Sequence, residues 1–155
     1  MESLERIVLE QSFFAGLDPE IAALIAGCAR NHRFDPDAYL FREGEEAAEF
    51  YLLREGDVSL EIHSPSGPTV VLGTIHANDV VGASWLVPPY RWNSDARATT
   101  AVRALGIDAA CLRGKCEDDP RTGYAMMKRF APLLVRRLQG AHMQLLDLYA
   151  RPGAL

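Results

Sequence analysis

The sequence has 155 residues, 48% of them apolar and 24% charged, which is enough chain for one domain with a hydrophobic core and short for two. Its net charge of -5 at pH 7 excludes the overall basic surface that nucleic-acid-binding proteins use. No uninterrupted apolar run reaches the roughly 18 residues that a membrane-spanning helix needs, so we expect no contact with a membrane.

The first zone, residues 1–33, carries a helical pattern. Asp18 precedes Pro19, which is the usual order of an N-cap residue and a proline at the first helical position. Apolar residues then recur at helical spacing, at Ile21, Leu24, Ile25 and Cys28. This spacing predicts N-terminal helices, the second of which buries one face.

The middle zone, residues 34–108, has short β-rich runs separated by turn residues. Gly44, Gly56 and the segment SPSG at 64–67 mark turns. In the clearest strand apolar and polar residues alternate, in the order Val58, Ser59, Leu60, Glu61, Ile62 and His63. That alternation is typical of a half-buried strand. Many short strands without long helices between them predict an antiparallel jelly roll or barrel.

The last zone, residues 109–150, is helical again. Asp119 and Pro120 repeat the order of cap and proline, and the helical pattern then continues almost to the end of the chain. Pro132 removes one backbone hydrogen bond, so we expect it to kink this helix. The three zones predict a single, mainly β domain over residues 1–155: an antiparallel jelly roll with N-terminal helices and a long C-terminal helix.

The long helix carries an apolar seam with successive spacings of 3, 4, 3 and 4 residues, formed by Val135, Leu138, His142, Leu145 and Tyr149. Such a repeat is typical of the a and d positions of a coiled coil, so it predicts a homodimer formed through this helix. Because two heptads are a short repeat, the alternative is a helix that packs on its own β-roll.

The three cysteines are Cys28, Cys111 and Cys116. An odd number argues against a disulfide framework and for idle thiols in a reducing cytoplasm, which is the predicted location. Neither their spacing nor that of the four histidines matches a metal site. Because the sequence also has no nucleophile elbow or P-loop, we predict neither a bound metal nor an enzyme activity.

Four segments of the sequence resemble one family. They are FFAGLDPEIAALIAGCARNHRF, LFREGEEAAEFYLLREGDVSLEI, LGTIHANDVVG and VRALGIDAACLRGK, and the resemblance covers roughly residues 11–149. They resemble the cyclic-nucleotide-binding domain of bacterial catabolite-activator and fumarate-nitrate-regulator proteins, a double-stranded β-helix with flanking helices. The resemblance implies a nucleotide ligand, with cAMP, cGMP and a dinucleotide as alternatives, and subunits that pair through the last helix.

In that family the ligand lies in a cassette, which corresponds here to residues 79–97. Backbone N–H groups of a short helical turn face the cyclic phosphate, a glutamate holds the ribose and an arginine pairs with the phosphate. The resemblance places Gly82 at the cassette glycine, and Ala83, followed by Ser84, where the glutamate belongs. Because alanine has no oxygen that could accept a hydrogen bond from the ribose, we expect cAMP to bind weakly or not at all.

The cassette arginine has three candidate positions. Counting back from the segment VRALGID places it on Trp92, with Arg91 one residue earlier and Arg97 further along the next strand. We favour Arg91 as the anion partner and keep all three in the candidate ligand site. The alternative for Arg91 is a solvated side chain stacked on Trp92 or Tyr90.

Aromatic residues make this loop unusual. Trp85, Tyr90 and Trp92 could stack a nucleobase, fill the ligand cavity or form a surface for a partner protein. For Trp85 a place in the core is the commoner outcome. Because two prolines stiffen the loop and polar residues follow it, we expect Tyr90, Arg91 and Trp92 to be exposed for a partner.

Two functions fit these features. The first is a non-catalytic sensor that binds a nucleotide and passes its state to a partner. The second is an accessory or structural subunit that holds another protein through the aromatic loop; similar free-standing domains accompany NAD(P)-linked nickel–iron hydrogenases and encapsulin shells. The family's transcription factors carry a helix-turn-helix after the long helix. The sequence stops there and is acidic, so we expect no direct DNA binding.

Overall fold

The computed structural model describes residues 3–150, and within them the chain forms four α-helices and eight β-strands. The helices are α1 (Leu4–Glu10), α2 (Pro19–Ala26), α3 (Ala109–Asp118) and α4 (Pro120–Ala150). The strands are β1 (Ala29–Phe34), β2 (Tyr39–Phe41), β3 (Glu49–Glu55), β4 (Val58–Ile62), β5 (Val70–Ile75), β6 (Val80–Val81), β7 (Asp95–Ala98) and β8 (Val102–Asp108). Short 3-10 turns occupy Ser12–Phe14 and Ser84–Leu86.

The strands make two four-stranded antiparallel sheets. Their orders are β1-β8-β3-β6 in sheet A and β2-β7-β4-β5 in sheet B. The last strand therefore lies between β1 and β3, and the chain crosses repeatedly from one sheet to the other. This arrangement, with helices before it and a long helix after it, confirms the predicted antiparallel jelly roll.

The N-terminal zone is shorter than its helical pattern predicts. Asp18 caps α2 as expected, since its carboxylate accepts a hydrogen bond of 2.8 Å from the backbone N–H of Glu20. The helix ends at Ala26, however, and the prediction of helix up to residue 33 is wrong. From Ala29 onwards the chain forms β1, which pairs with β8 along its whole length. The partner of these backbone groups is a distant strand, which a local pattern does not reveal.

Three aromatic side chains hold sheet A, the cassette and α4 together. The Phe50 ring of β3 stacks on Trp85 with 4.7 Å between ring centroids. Phe130 of α4 meets both rings edge-on, at 5.4 Å from Phe50 and 5.2 Å from Trp85. All three side chains are fully buried, so they contribute both apolar burial and the favourable edge-to-face geometry. The core position expected for Trp85 is confirmed.

The long helix α4 has two distinct faces. Its buried face carries Thr122, Met126, Phe130 and Leu133. The predicted seam begins two residues after Leu133, about 200° further around the helix, so Val135 lies on the opposite side of the helix from the buried residues. Its members are exposed in the single chain: Val135 54%, Leu138 57%, Leu145 52% and Tyr149 62%, with His142 also exposed. Helix α4 continues through Pro132. Among residues 3–150 no helix combines the length and the apolar character of a bilayer span.

Two of the predicted turn residues adopt a left-handed backbone, with φ angles of 85° at Gly44 and 91° at Gly56. Asn78, in the turn before β6, also has a positive φ of 72°. Gly56 is also constrained by space, because a Cβ added there would lie 2.3 Å from the carbonyl oxygen of Ala101. A larger residue at Gly56 would therefore push β3 and β4 away from the start of β8.

Strand β4 contains buried polar residues, although its alternating pattern predicts that they face solvent. Ser59 and Glu61 are almost completely buried, and the expectation of a simply half-buried strand is wrong for them. The reason lies in β7, where Arg97 covers Glu61 and donates hydrogen bonds of 2.9–3.3 Å to its carboxylate. Arg97 also donates to Asp37 at 2.8 Å. The hydrogen bonds from Arg97 lower the pKa of Glu61 below its ordinary value.

A second carboxylate on the same sheet has a similar environment. Asp95 is buried, and burial alone would raise its pKa. The backbone N–H of Glu43 donates to it at 2.7 Å, and the side chains of His63 and Arg42 pair with it. These partners outweigh burial, so the pKa of Asp95 lies below its ordinary value.

A disulfide joins Cys28 to Cys111, with 5.7 Å between their Cα atoms. The prediction of idle thiols is wrong for these two residues, and only Cys116 is free. Cys28 precedes β1 and Cys111 lies in the first turn of α3, directly after β8. Because β1 and β8 are neighbours, residues that are 83 positions apart meet at one end of sheet A. The bridge also removes the argument for a reducing compartment, so the cytoplasmic location stays a prediction.

We expect Glu61→Gln to lower the free energy of unfolding by about 1–2 kcal/mol at neutral pH, because a charged hydrogen-bonded pair becomes a weaker contact. The pKa of Glu61 is lowered in the folded state, so its stabilisation is fully present above the unfolded pKa of about 4.5. It is lost as the pH falls through the lower folded value. Denaturant unfolding at several pH values should therefore show the two proteins converging below about pH 4.5.

The matched control is Glu55→Gln, which breaks an exposed ion pair of 2.9 Å with Arg103. This variant should lose less than about 0.5 kcal/mol, because exposed pairs contribute little. Equal losses in the two variants would contradict the role that we assign to burial at Glu61.

Because two of the three cysteines are bonded to each other, the number of free thiols can be predicted. Titration of the unfolded protein without reductant should find one free thiol per chain, Cys116, and three after reduction. Because the bridge closes a loop of 83 residues, its reduction should lower the free energy of unfolding by up to about 4 kcal/mol. A Cys116→Ser variant should lose the single titratable thiol and keep the bridge. Three thiols in protein isolated without reductant would show that the bridge is absent.

Candidate functional site

The cassette begins where β6 ends. Strand β6 pairs with β3, with Val81 opposite Tyr51, and Gly82 follows with a φ of 103°. A Cβ at Gly82 would lie 2.5 Å and 2.6 Å from Cη2 and Cζ3 of the Trp92 ring. Glycine is therefore needed here both for its backbone angle and for the approach of the indole.

The Trp92 ring fills the space over Gly82. It lies parallel to the Phe41 ring of β2, with an interplanar angle of 8° and 3.7 Å between centroids. Its backbone is fixed as well, because the N–H of Trp92 donates to Glu45 and its carbonyl accepts from the N–H of Gly44. Trp92 is only 5% exposed, so the prediction of an exposed contact surface is wrong for this residue. The stacking partner on β2 is the reason, and the sequence around Trp92 does not show it.

The guanidinium groups of both candidate arginines bind partners outside residues 79–97. Arg91 is exposed, and its Nη1 donates to the carbonyl of Gly44 at 2.9 Å. Arg97 is engaged by Glu61 and Asp37 on sheet B. The structure thus brings Gly82 and Trp92 together, while each arginine has other partners. The alternative of Arg91 stacked on an aromatic ring is also absent from the described contacts.

Ala83 and Ser84 follow the cassette glycine, at the place where the resemblance puts the ribose glutamate. Ala83 is half-buried and packs against the hydrophobic core, and Ser84 begins the 3-10 turn that follows. That turn resembles the helical turn expected at the cassette. Its last residue is Leu86, and the indole N–H of Trp85 within it has no hydrogen-bond partner among the described residues.

Two arginines that the sequence analysis did not single out contact the cassette. Arg113 of α3 donates to the carbonyl of Trp85 at 2.7 Å and lies 4.0 Å above the Tyr90 ring. Arg137 of α4 donates to the carbonyl of Val80, and burial lowers its pKa. Tyr90 is thus half-buried under Arg113 and only partly available to a partner.

A signal for Arg137 was present in the sequence. It follows Met126, Phe130 and Leu133 at spacings of 4, 3 and 4 residues, so it lies on the buried face of α4. The predicted dimer seam is the other apolar stripe of this helix, which begins at Val135. No comparable pattern predicts Arg113, because its contact depends on how α3 lies against the cassette loop.

Both the sequence and the fold are similar to those of known proteins. The family profile described as "Cyclic nucleotide-binding domain" matches residues 31–119. No curated protein matched the sequence. A candidate cyclic nucleotide-binding protein from Geobacter metallireducens GS-15 is 33% identical with a TM-score of 0.77, and the alignment covers 89% of this chain and 99% of that chain.

Two further solved structures share the fold. The N-terminal domain of a transcriptional regulator from Streptomyces coelicolor A3(2) is 24% identical over 90% of this chain and 94% of that chain, with a TM-score of 0.67. The catabolite activator protein of Thermus thermophilus is 22% identical over 88% of this chain and 62% of that chain, with a TM-score of 0.69. The profile match over more than half of the sequence and the Geobacter structure show that the chain belongs to the cyclic nucleotide-binding domain family.

Proposed function

We propose that this domain is a non-catalytic regulatory module whose cassette does not hold cAMP in the usual way. The observation that carries the proposal is the Trp92 ring, which lies over Gly82 and stacks on Phe41. In the family resemblance, Trp92 is one of the three candidate positions for the arginine that pairs with the cyclic phosphate, the one reached by counting back from VRALGID. An apolar ring there replaces a positive charge and also occupies volume.

The electrostatics of the cassette support the same proposal. A buried phosphate needs charge-assisted hydrogen bonds, and the guanidinium groups of Arg91 and Arg97 are bound elsewhere. Ala83 offers no acceptor to a ribose hydroxyl, which costs about 1–3 kcal/mol if that hydroxyl is buried. This loss alone corresponds to roughly tenfold to hundredfold in affinity. Nucleotides other than cAMP, including cGMP and a dinucleotide, also carry phosphate, and neither Arg91 nor Arg97 is free to pair with it.

Calorimetric titration of the protein with cAMP should give a dissociation constant on the order of 100 μM or weaker. The double variant Ala83→Glu/Trp92→Arg supplies the carboxylate and the guanidinium, and it should bind cAMP at least about tenfold more tightly. The matched control is Ala83→Glu/Trp92→Phe, which opens some space without adding the charge and should stay weak. Thermal unfolding of each variant first establishes that it is folded. A sub-micromolar dissociation constant for the unmodified protein would contradict the proposal.

The output of this module is proposed to pass through a homodimer formed by α4. The seam on α4 presents large apolar side chains to solvent in the single chain, Leu138 and Leu145 among them. Exposed apolar patches of this kind mark interaction surfaces. Close to the seam, Val70 and Val71 of the edge strand β5 are also exposed, and Gln144 ties the helix to that strand through the carbonyl of Leu72 at 2.9 Å.

We expect Leu138→Asp and Leu145→Asp to give monomers in light scattering, because a buried carboxylate without a partner opposes association. Arg136→Asp on another exposed part of the same helix is the control and should stay dimeric. Dimers that persist in both leucine variants would place the interface elsewhere.

The accessory subunit stays an alternative prediction. Fewer aromatic side chains are available to a partner protein than the sequence suggests. Trp85 and Trp92 are both buried, so neither side chain is available to a hydrogenase complex or an encapsulin-type assembly. The exposed residues of the loop are Val87, Pro88, Pro89 and Arg91, beside the half-buried Tyr90. A partner that docks here would therefore contact the proline turn rather than the indoles.

A further inference from the structure

A surface cleft of about 470 Å³ opens beside the disulfide. Both bridge residues, Cys28 and Cys111, line it. It lies at the end of sheet A, where Glu49 of β3 stands opposite Asp108 of β8 and where α3 begins. Of the two cysteines, Cys28 is buried and Cys111 is partly exposed. A small molecule in this cleft would thus lie next to the Sγ atom of Cys111.

Charges of both signs surround the bridge. Arg30 lines the cleft with a side chain that is 70% exposed and donates to Glu49 through Nε and Nη2 at 3.1 Å and 3.0 Å. Because a guanidinium has five N–H donors, others remain for a second acceptor. Asp108 is exposed, and its Oδ1 accepts from the backbone N–H of Cys111 at 2.8 Å. The lining of the cleft thus includes a donor for a carboxylate, Arg30, and an acceptor for an ammonium group, Asp108.

We propose that this cleft is a thiol–disulfide exchange site for a small amino-acid-type thiol, one that carries both a carboxylate and an ammonium group. The carboxylate pairs with Arg30 and the ammonium with Asp108. The thiolate of the bound molecule then attacks the Sγ atom of Cys111, the more exposed of the two bridge residues.

The exchange takes place in two steps. A bond forms between the incoming sulfur and Sγ of Cys111, the Cys28–Cys111 bond breaks, and Cys28 leaves as a thiolate that takes a proton from water. A second molecule of the thiol attacks the mixed disulfide and releases Cys111 as a thiol. In sum the protein disulfide is reduced and two thiol molecules are oxidised to their own disulfide.

The free cysteine of the chain is a poor substitute for an external thiol. Cys116 follows Cys111 by five positions on α3, which is about 140° around the helix. It is half-buried, and burial raises the pKa of its thiol. Because the thiolate is the attacking form, this residue is unsuited to opening the bridge from within.

The test measures how fast the oxidised, full-length protein loses its disulfide with four thiols: cysteine, 3-mercaptopropionate, cysteamine and 2-mercaptoethanol. The rate of each reagent is normalised to its thiolate concentration and to its rate with a small model disulfide, because the nucleophilicity of a thiolate falls with its pKa. The mixed disulfide is detected by intact mass after acid quenching. Cysteine should react at least about threefold faster than 2-mercaptoethanol, the effect expected of weakly screened surface charges. Peptide mapping should place the first adduct on Cys111.

Variants separate the two charges. Arg30→Gln should remove the advantage of the thiols that carry a carboxylate. Asp108→Asn keeps an N-cap residue on α3 and should remove the advantage of the thiols that carry an amine. Arg33→Gln, an exposed residue of the same strand that does not line the cleft, is the control and should leave all four rates unchanged. Thermal unfolding of the variants checks that each is folded.

Several outcomes would overturn the proposal. Equal normalised rates for all four thiols would mean that no charge in the cleft selects the reagent. Rates that reach one common plateau for every thiol would mean that exchange waits for unfolding of the protein. A first adduct on Cys28 would mean that the incoming thiolate attacks the other sulfur of the bridge. A protein that shows three free thiols before any reductant is added would mean that the bridge is absent.

Discussion

The stacking of Phe50 on Trp85, with Phe130 edge-on to both, is the contact on which the other parts of the structure depend. Each ring comes from a different part of the chain: strand β3, the cassette turn and helix α4. Because all three are fully buried, the cassette turn cannot move without disturbing the packing of α4 on the roll. A change at the cassette is therefore coupled, through packed side chains, to the helix that carries the exposed seam.

The second aromatic pair, Trp92 on Phe41, packs over the start of the cassette. In a site built to hold a phosphate, a bound anion and a guanidinium would fill this region. Here an indole supplies the packing, and Gly82 provides both the backbone angle and the space that the indole needs. Arg91 and Arg97 take part in turn and sheet contacts.

Helix α3 connects the disulfide to the cassette. Its first turn carries Cys111, and Arg113, two residues further on, contacts both Trp85 and Tyr90. The bridge ties this helix to the end of α2 near Cys28, so one covalent bond restrains the element that holds the cassette loop. The two arginines on the cassette, Arg113 and Arg137, both donate to backbone carbonyls and so restrain the cassette backbone.

Local features of the sequence determined the order and kind of most elements. The cap at Asp18, the turn glycines and the alternation in β4 depend only on neighbouring residues, which is why the jelly roll and its helices could be predicted. The absence of a glutamate at Ala83 is likewise a property of the sequence alone.

Contacts between distant segments were decided by the tertiary structure. The pairing of β1 with β8 turned an apparent helix end into a strand and brought Cys28 to Cys111, although 83 residues separate them. The burial of Trp92 depends on Phe41 of another strand, and the burial of Glu61 depends on Arg97 of β7. Such partners lie beyond the few residues that set backbone propensity and periodicity, so only the folded arrangement of the sheets determines them.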